Sequence, residues 1–184
     1  MENLNYENQF YAILENTGPL GPALRYALRS IIQIQSIKKG KILKAQPFDL
    51  HIILEGMVIK RRDYTAGNAI RSEVLDFIGS NEAIYHTATE YDIYFQAELD
   101  SIAILIRQPD IVSIIQHHPR FSEQLNAFLS HLLSERTFRG GLINMSSKEK
   151  KEAFWRHYPF AARYCRIKDI CSFLGINPNT YSGL

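Results

Sequence analysis

The feature that most narrows what this chain can fold into is a change of periodicity near Pro109. Residues 31–106 are short β-branched and aromatic runs broken by turn residues, and from Pro109 onward apolar residues recur at helical spacing. Pro109-Asp110 opens a short helix bearing Ile111, Ile114 and Ile115, and Pro119 stands where a longer one begins, a position at which proline is tolerated. In that longer helix Phe121, Leu125, Phe128, Leu129, Leu132 and Leu133 return every three or four residues. The stripe is wider than one seam and predicts two partners: the chain's own domain, and a second copy meeting it in parallel along Phe121, Leu125, Phe128 and Leu132. The simpler alternative is a helix buried in one ordinary core.

Upstream, residues 6–15 and 23–30 hold Phe10, Ile13 and Leu14, then Leu24, Ala27 and Leu28, at helical spacing. The chain then reads as sheet. Lys38-Lys39-Gly40-Lys41 turns between strands, Glu55-Gly56 turns inside a hydrophobic stretch, and Ala66-Gly67-Asn68 forms a polar hairpin tip. Further strands are expected over residues 72–77, 92–98 and 101–107, the pattern of a small antiparallel barrel.

Downstream, the paired glycines Gly140-Gly141 predict a kink or hinge, each costing about 1 kcal/mol against alanine inside a helix. Ser146 followed by Glu149 fits a capping box, which starts a helix running towards His157. Residues 167–174 make another helix, Gly175 supplies a left-handed corner, and Asn177-Pro178-Asn179-Thr180 caps and opens a second. Ile170, Leu174, Ile176, Tyr181 and Leu184 fall where the pair would bury a shared core. This is the grammar of a helix-turn-helix.

Composition excludes several classes. With 46% hydrophobic and 22% charged residues the chain is neither disordered nor membrane-spanning, and its start lacks a basic segment before an apolar one, so the cytoplasm is the expected location. Cys165 and Cys171 read as free, packed thiols, because no second pair completes a metal set. The six histidines are scattered, apart from the divergent pair His117-His118, and no nucleophile elbow, zinc-protease or phosphate-loop motif occurs. No catalytic residue, metal or cofactor is assigned. The charge is asymmetric: residues 145–184 hold seven lysines and arginines against three acidic residues, within a net charge of +2. This basic end is a modest footprint for nucleic acid.

In that order, Lys38-Lys39-Gly40-Lys41-Ile42-Leu43, Ile53-Leu54-Glu55-Gly56, Phe77-Ile78-Gly79-Ser80, Ala97-Glu98-Leu99-Asp100-Ser101 and the run from Ile170 to Ser182 resemble the Crp/Fnr (cyclic-AMP receptor / fumarate-nitrate regulator) family of bacterial transcription factors. The resemblance implies an α+β fold: residues 1–117 as N-terminal helices on a cyclic-nucleotide-binding-like β-roll, 118–144 as a dimerisation helix, and 145–184 as a helix-turn-helix lacking the wing. It implies a homodimer, with Gly79, Ser80, Asn81, Glu82 and Tyr91 as the wall of a ligand pocket, and with Asn177, Asn179, Thr180 and Ser182 facing double-stranded DNA. Two departures qualify it. No arginine or lysine lies between Arg71 and Arg107, where ligand-binding members hold the cyclic phosphate, so tight cyclic-AMP binding is not expected and any effector is unknown. Only about two helical turns follow Asn177, and Gly183 stands where the family often has an arginine, so DNA binding should be weak. The competing reading is a dimeric interaction module that keeps the roll and no longer reads DNA.

Overall fold

The computed structural model describes residues 2–85, 92–135 and 137–183; the expectations for Tyr91 and Leu184 lie outside the described residues. Among the described residues eight strands form two antiparallel four-stranded sheets. One has the order β1 (Gln33–Ile37), β8 (Ser101–Ile106), β3 (Leu50–Glu55), β6 (Ala83–Tyr85), and the other the order β2 (Ile42–Leu43), β7 (Asp92–Ala97), β4 (Val58–Ala66), β5 (Ala69–Ile78). Ile37, Leu43, Ile53, Val58, Ile78, Ile84, Phe95, Ala97 and Ala103, drawn from all eight strands, close against one another as the interior of a β-roll. The α+β class and the roll are thus as the sequence implies. Gly67-Asn68 makes the two-residue hairpin between β4 and β5, and the chain turns at Gly56 with φ +85°. A Cβ at Gly56 would sit 2.4 Å from the Asp100 carbonyl oxygen, so glycine is required there. The three-residue strand β6 was not expected, being too short to show a period.

Helices cover both sheets from outside. On the first sheet, α1 (Glu2–Glu15), α2 (Pro22–Arg29), α3 (Gln108–His117) and α4 (Arg120–Glu135) share one core with Leu50, Ile52, Leu54, Ile104 and Ile106. Strand β3 is therefore buried on both faces, Leu50, Ile52 and Leu54 toward the helices and His51 and Ile53 toward the roll interior. On the second sheet lie α5 (Phe138–Gly141), α6 (Ser147–His157), α7 (Pro159–Tyr164), α8 (Ile167–Leu174) and α9 (Pro178–Ser182), packed on Met57, Ile59, Val74 and Phe77.

One expectation is corrected. Phe121, Leu125 and Phe128 are 2%, 6% and 4% exposed, turned onto the chain's own core, so the dimer contact expected along them does not lie on the surface. The three-and-four stripe of α4 is satisfied by α1, α3 and the sheet; Leu132 is half-buried and Leu133 is exposed. Gly140 and Gly141 lie beyond the end of α4 at Glu135, in the single turn of α5.

The capping box forms as expected: Ser146 Oγ accepts from the Glu149 amide, and Glu149 Oε2 accepts from the Ser146 amide at 2.8 Å. Ser146→Ala should lower stability by about 1 kcal/mol, read from urea midpoints, while Ser146→Asp should leave it nearly unchanged.

Candidate functional site: the C-terminal helical face and its clefts

Helices α8 and α9 form a hairpin because their apolar residues converge at a tight corner. Gly175 adopts φ +64°, Ile176 N–H returns to the Cys171 carbonyl at 3.0 Å, and Ile170, Cys171, Leu174, Ile176 and Tyr181 are buried together. Asn177 caps α9, its Oδ1 accepting from the Asn179 amide at 2.9 Å. The four residues expected to face DNA are all exposed. They are not equally available, since Asn177 is engaged in the cap and Ser182 Oγ donates to the Pro178 carbonyl at 3.0 Å. Asn179 and Thr180 keep their side chains uncommitted among the described residues.

The structure adds residues that the sequence reading missed. From α6, Lys151 Nζ donates to the Tyr181 carbonyl at 3.1 Å and lies 4.7 Å from its ring, and Trp155 Nε1 donates to the Tyr181 hydroxyl at 3.0 Å. Lys148 shares a surface hollow with Lys151 and Trp155, and Lys168 shares another with Pro178. Lys148, Lys151 and Trp155 recur at spacings of three and four, a signal on α6 that could have been noticed. Lys151 thus touches α9 at Tyr181, and Lys168 shares a hollow with its first residue, Pro178.

This helical unit is fixed to the roll by polar contacts as well as by its core. Arg61 on β4 donates through Nη1 to Asp169 on α8 at 2.8 Å, both side chains being nearly buried. Ser172 Oγ accepts from Val74 N–H at 3.0 Å, on the edge strand of its sheet, and Glu73 accepts from Arg62 at 2.8 Å and Arg139 at 3.0 Å. Burial disfavours the Glu73 carboxylate, but the two guanidinium bonds outweigh it and hold its pKa below the usual range. Phe77, Phe154, Tyr158 and Phe173 pack with ring centroids 5.3–5.8 Å apart. Burial pushes the Cys165 thiol up to about 12, which leaves it protonated and unreactive at neutral pH.

Gly79, Ser80, Asn81 and Glu82 form a turn tied to β3. Asn81 N–H donates to the Ile53 carbonyl at 2.7 Å, Ile53 N–H to the Glu82 carbonyl at 2.9 Å, and Gly79 N–H to Glu82 Oε2 at 2.7 Å. These residues border two clefts that face α6 and α7, of about 860 Å³ and about 370 Å³. Arg61 and Arg62 do not supply a phosphate site within the roll, since they pair with Asp169 and Glu73. Among the described residues no group of three histidine, cysteine or acidic side chains gathers to hold a metal, and no helix is long and apolar enough to cross a membrane.

No protein-family model and no curated protein matches the sequence. Solved structures do match in shape. A putative transcriptional regulator of the Crp/Fnr family from Eubacterium rectale superposes with a TM-score of 0.66 at 14% identity, covering 92% of this chain and 85% of that one. A cyclic nucleotide-binding domain containing protein from Listeria monocytogenes gives 0.66 at 9% identity, over 88% and 86% of the two chains. The c-di-GMP responsive global regulator CLP of Xanthomonas campestris gives 0.64 at 11% identity, over 89% of each. With a roll of two four-stranded sheets covered on both outer faces by helices, this chain has the fold of the Crp/Fnr regulators and cyclic-nucleotide-binding-domain proteins.

Proposed function

We infer that the chain is a regulator of transcription of the Crp/Fnr kind, a homodimer whose C-terminal hairpin contacts double-stranded DNA weakly and whose roll does not respond to cyclic AMP. The observation that carries this reading is the exposed, uncommitted pair Asn179 and Thr180 on α9, a helix whose Tyr181 carbonyl meets Lys151 and whose Pro178 shares a hollow with Lys168. Lysines there would neutralise phosphates, and the amide and hydroxyl of α9 would meet base edges. A second copy would meet α4 at Leu133, the apolar position of its stripe that its own core leaves open. No catalytic step is assigned.

The test is retention of genomic DNA fragments by the purified protein at two salt concentrations, followed by sequencing. Enrichment of an inverted repeat that survives the higher salt supports the reading. Lys148→Ala and Lys168→Ala should each weaken retention uniformly and reduce the salt slope by about one, while Asn179→Ala should relax the sequence preference. Retention at low salt alone, with no preferred sequence, would favour a dimeric interaction module instead.

A further inference from the structure

The larger cleft lies outside the roll, between the α1–α2 turn, α4 and the joint of α6 with α7. Its volume of about 860 Å³ is in the range of small-molecule sites. Its apolar lining is Ile13, Phe77, Phe128 and Leu132. Its polar lining divides sharply by what is already engaged.

Thr17 Oγ1 donates to the Leu14 carbonyl at 2.8 Å, and Asn81 Oδ1 accepts from Gln9 at 3.1 Å. Asp76 accepts from the Phe77 amide at 2.9 Å and from the Tyr158 hydroxyl at 3.1 Å, Glu82 accepts from Gly79, and His157 stacks on Phe138 at 4.0 Å. The side chains left without a hydrogen bond, ion pair or ring contact among the described residues are Asn16, His131 and Arg156. All three can donate, and Arg156 brings a full charge in a planar fork suited to an oxyanion. We propose that this cleft binds a small organic acid, its anionic head on Arg156 with His131 and Asn16 beside it, and its apolar body against Phe128 and Leu132.

The proposal extends the reading of Gly79–Glu82 as the border of a ligand site, since Asn81 and Glu82 form one wall. It does not depend on whether the hairpin touches DNA. A ligand there would bridge α4 to the α6–α7 joint and so bear on how the helical unit sits against the roll.

The experiment uses the full chain and no DNA. Phenylacetate, phenyl phosphate and 2-phenylethanol are titrated at millimolar concentrations against the wild type, Arg156→Ala and His131→Ala, and binding is read from the rise in melting temperature and from ligand-observed NMR. Expected are saturable binding of at least one of the two anions, no binding of the neutral alcohol, and a loss of roughly tenfold or more in affinity in Arg156→Ala. Which anion binds more tightly tells a carboxylate site from a phosphate site. Arg156 is exposed, so its variant should melt like the wild type in the absence of probe. Equal binding of the alcohol, an unchanged affinity in Arg156→Ala, or no binding by either anion would each overturn the proposal. A null result here leaves the DNA reading standing, and a failed DNA retention leaves this one.

Discussion

Asp169→Ala is expected to destabilise the protein by about 3–5 kcal/mol, far more than removal of a surface ion pair would. The Asp169 carboxylate is the partner of Arg61 across 108 residues of sequence, at 2.8 Å, and both side chains are about a tenth exposed. Burial alone would lower the Arg61 pKa, but the hydrogen bond and charge of Asp169 overcome it and leave the guanidinium raised. Arg61 Nε has no hydrogen-bond partner, so the pair is already incompletely satisfied. Without Asp169 a buried positive charge would remain among Met57, Ile59 and the α8 core. The double variant Arg61→Met/Asp169→Leu removes both charges and should recover most of the loss. Urea unfolding of the three proteins decides the matter: a loss below about 1 kcal/mol in Asp169→Ala would show that the pair does not hold the helical unit to the roll.

The second large effect is acid sensitivity through His51. Its side chain is fully buried in the roll beside Ile53, and neither ring nitrogen has a hydrogen-bond partner. Burial lowers its pKa from 6.5 to about 4, against a smaller upward pull from Asp49. Because the folded state binds this proton less readily than the unfolded chain, the stability His51 allows is fully present above pH 6.5. It is lost as the pH falls from there to about 4, and over that window the protein should lose about 2–3 kcal/mol through this one group. His51→Leu removes the proton acceptor and keeps an apolar side chain, so its unfolding free energy should fall less between pH 7.5 and pH 4.5. Carboxylates that titrate nearby, Glu73 among them, are common to both proteins and cancel in the comparison. Parallel pH profiles for the two would rule His51 out as the sensitive group.

What could be read from the sequence was local. The capping box of Ser146 and Glu149, the corner at Gly175 and the hairpin at Gly67-Asn68 each depend on residues within a few positions, and each forms where expected. The roll was legible because its strands repeat turn residues at short intervals and because ordered segments resemble a known family. The stripe of α4 shows the limit of periodicity. Spacing reports how wide an apolar face is and not whose core it joins, and Phe121, Leu125 and Phe128 join the core that the first three helices share with the first sheet. Arg61 with Asp169, and Lys151 and Trp155 with Tyr181, are partners distant in sequence, and no local pattern joins them. Half of the set expected to face DNA was also less available than its residue types suggested, because Asn177 and Ser182 bond within their own turn.

The covering of β5 by α8 has a consequence for how the protein is made. Val74 and the hydroxyl that meets its amide, that of Ser172, are 98 residues apart, so the ribosome completes the strand long before it makes the cover. At about 5–20 residues per second the edge of the sheet waits roughly 5–20 s with its amide and the apolar side chains of Val74 and Phe77 open to other nascent chains. Slow translation or a stall after the roll would lengthen that interval and the chance of edge-to-edge pairing, and shielding by a chaperone during synthesis would shorten it.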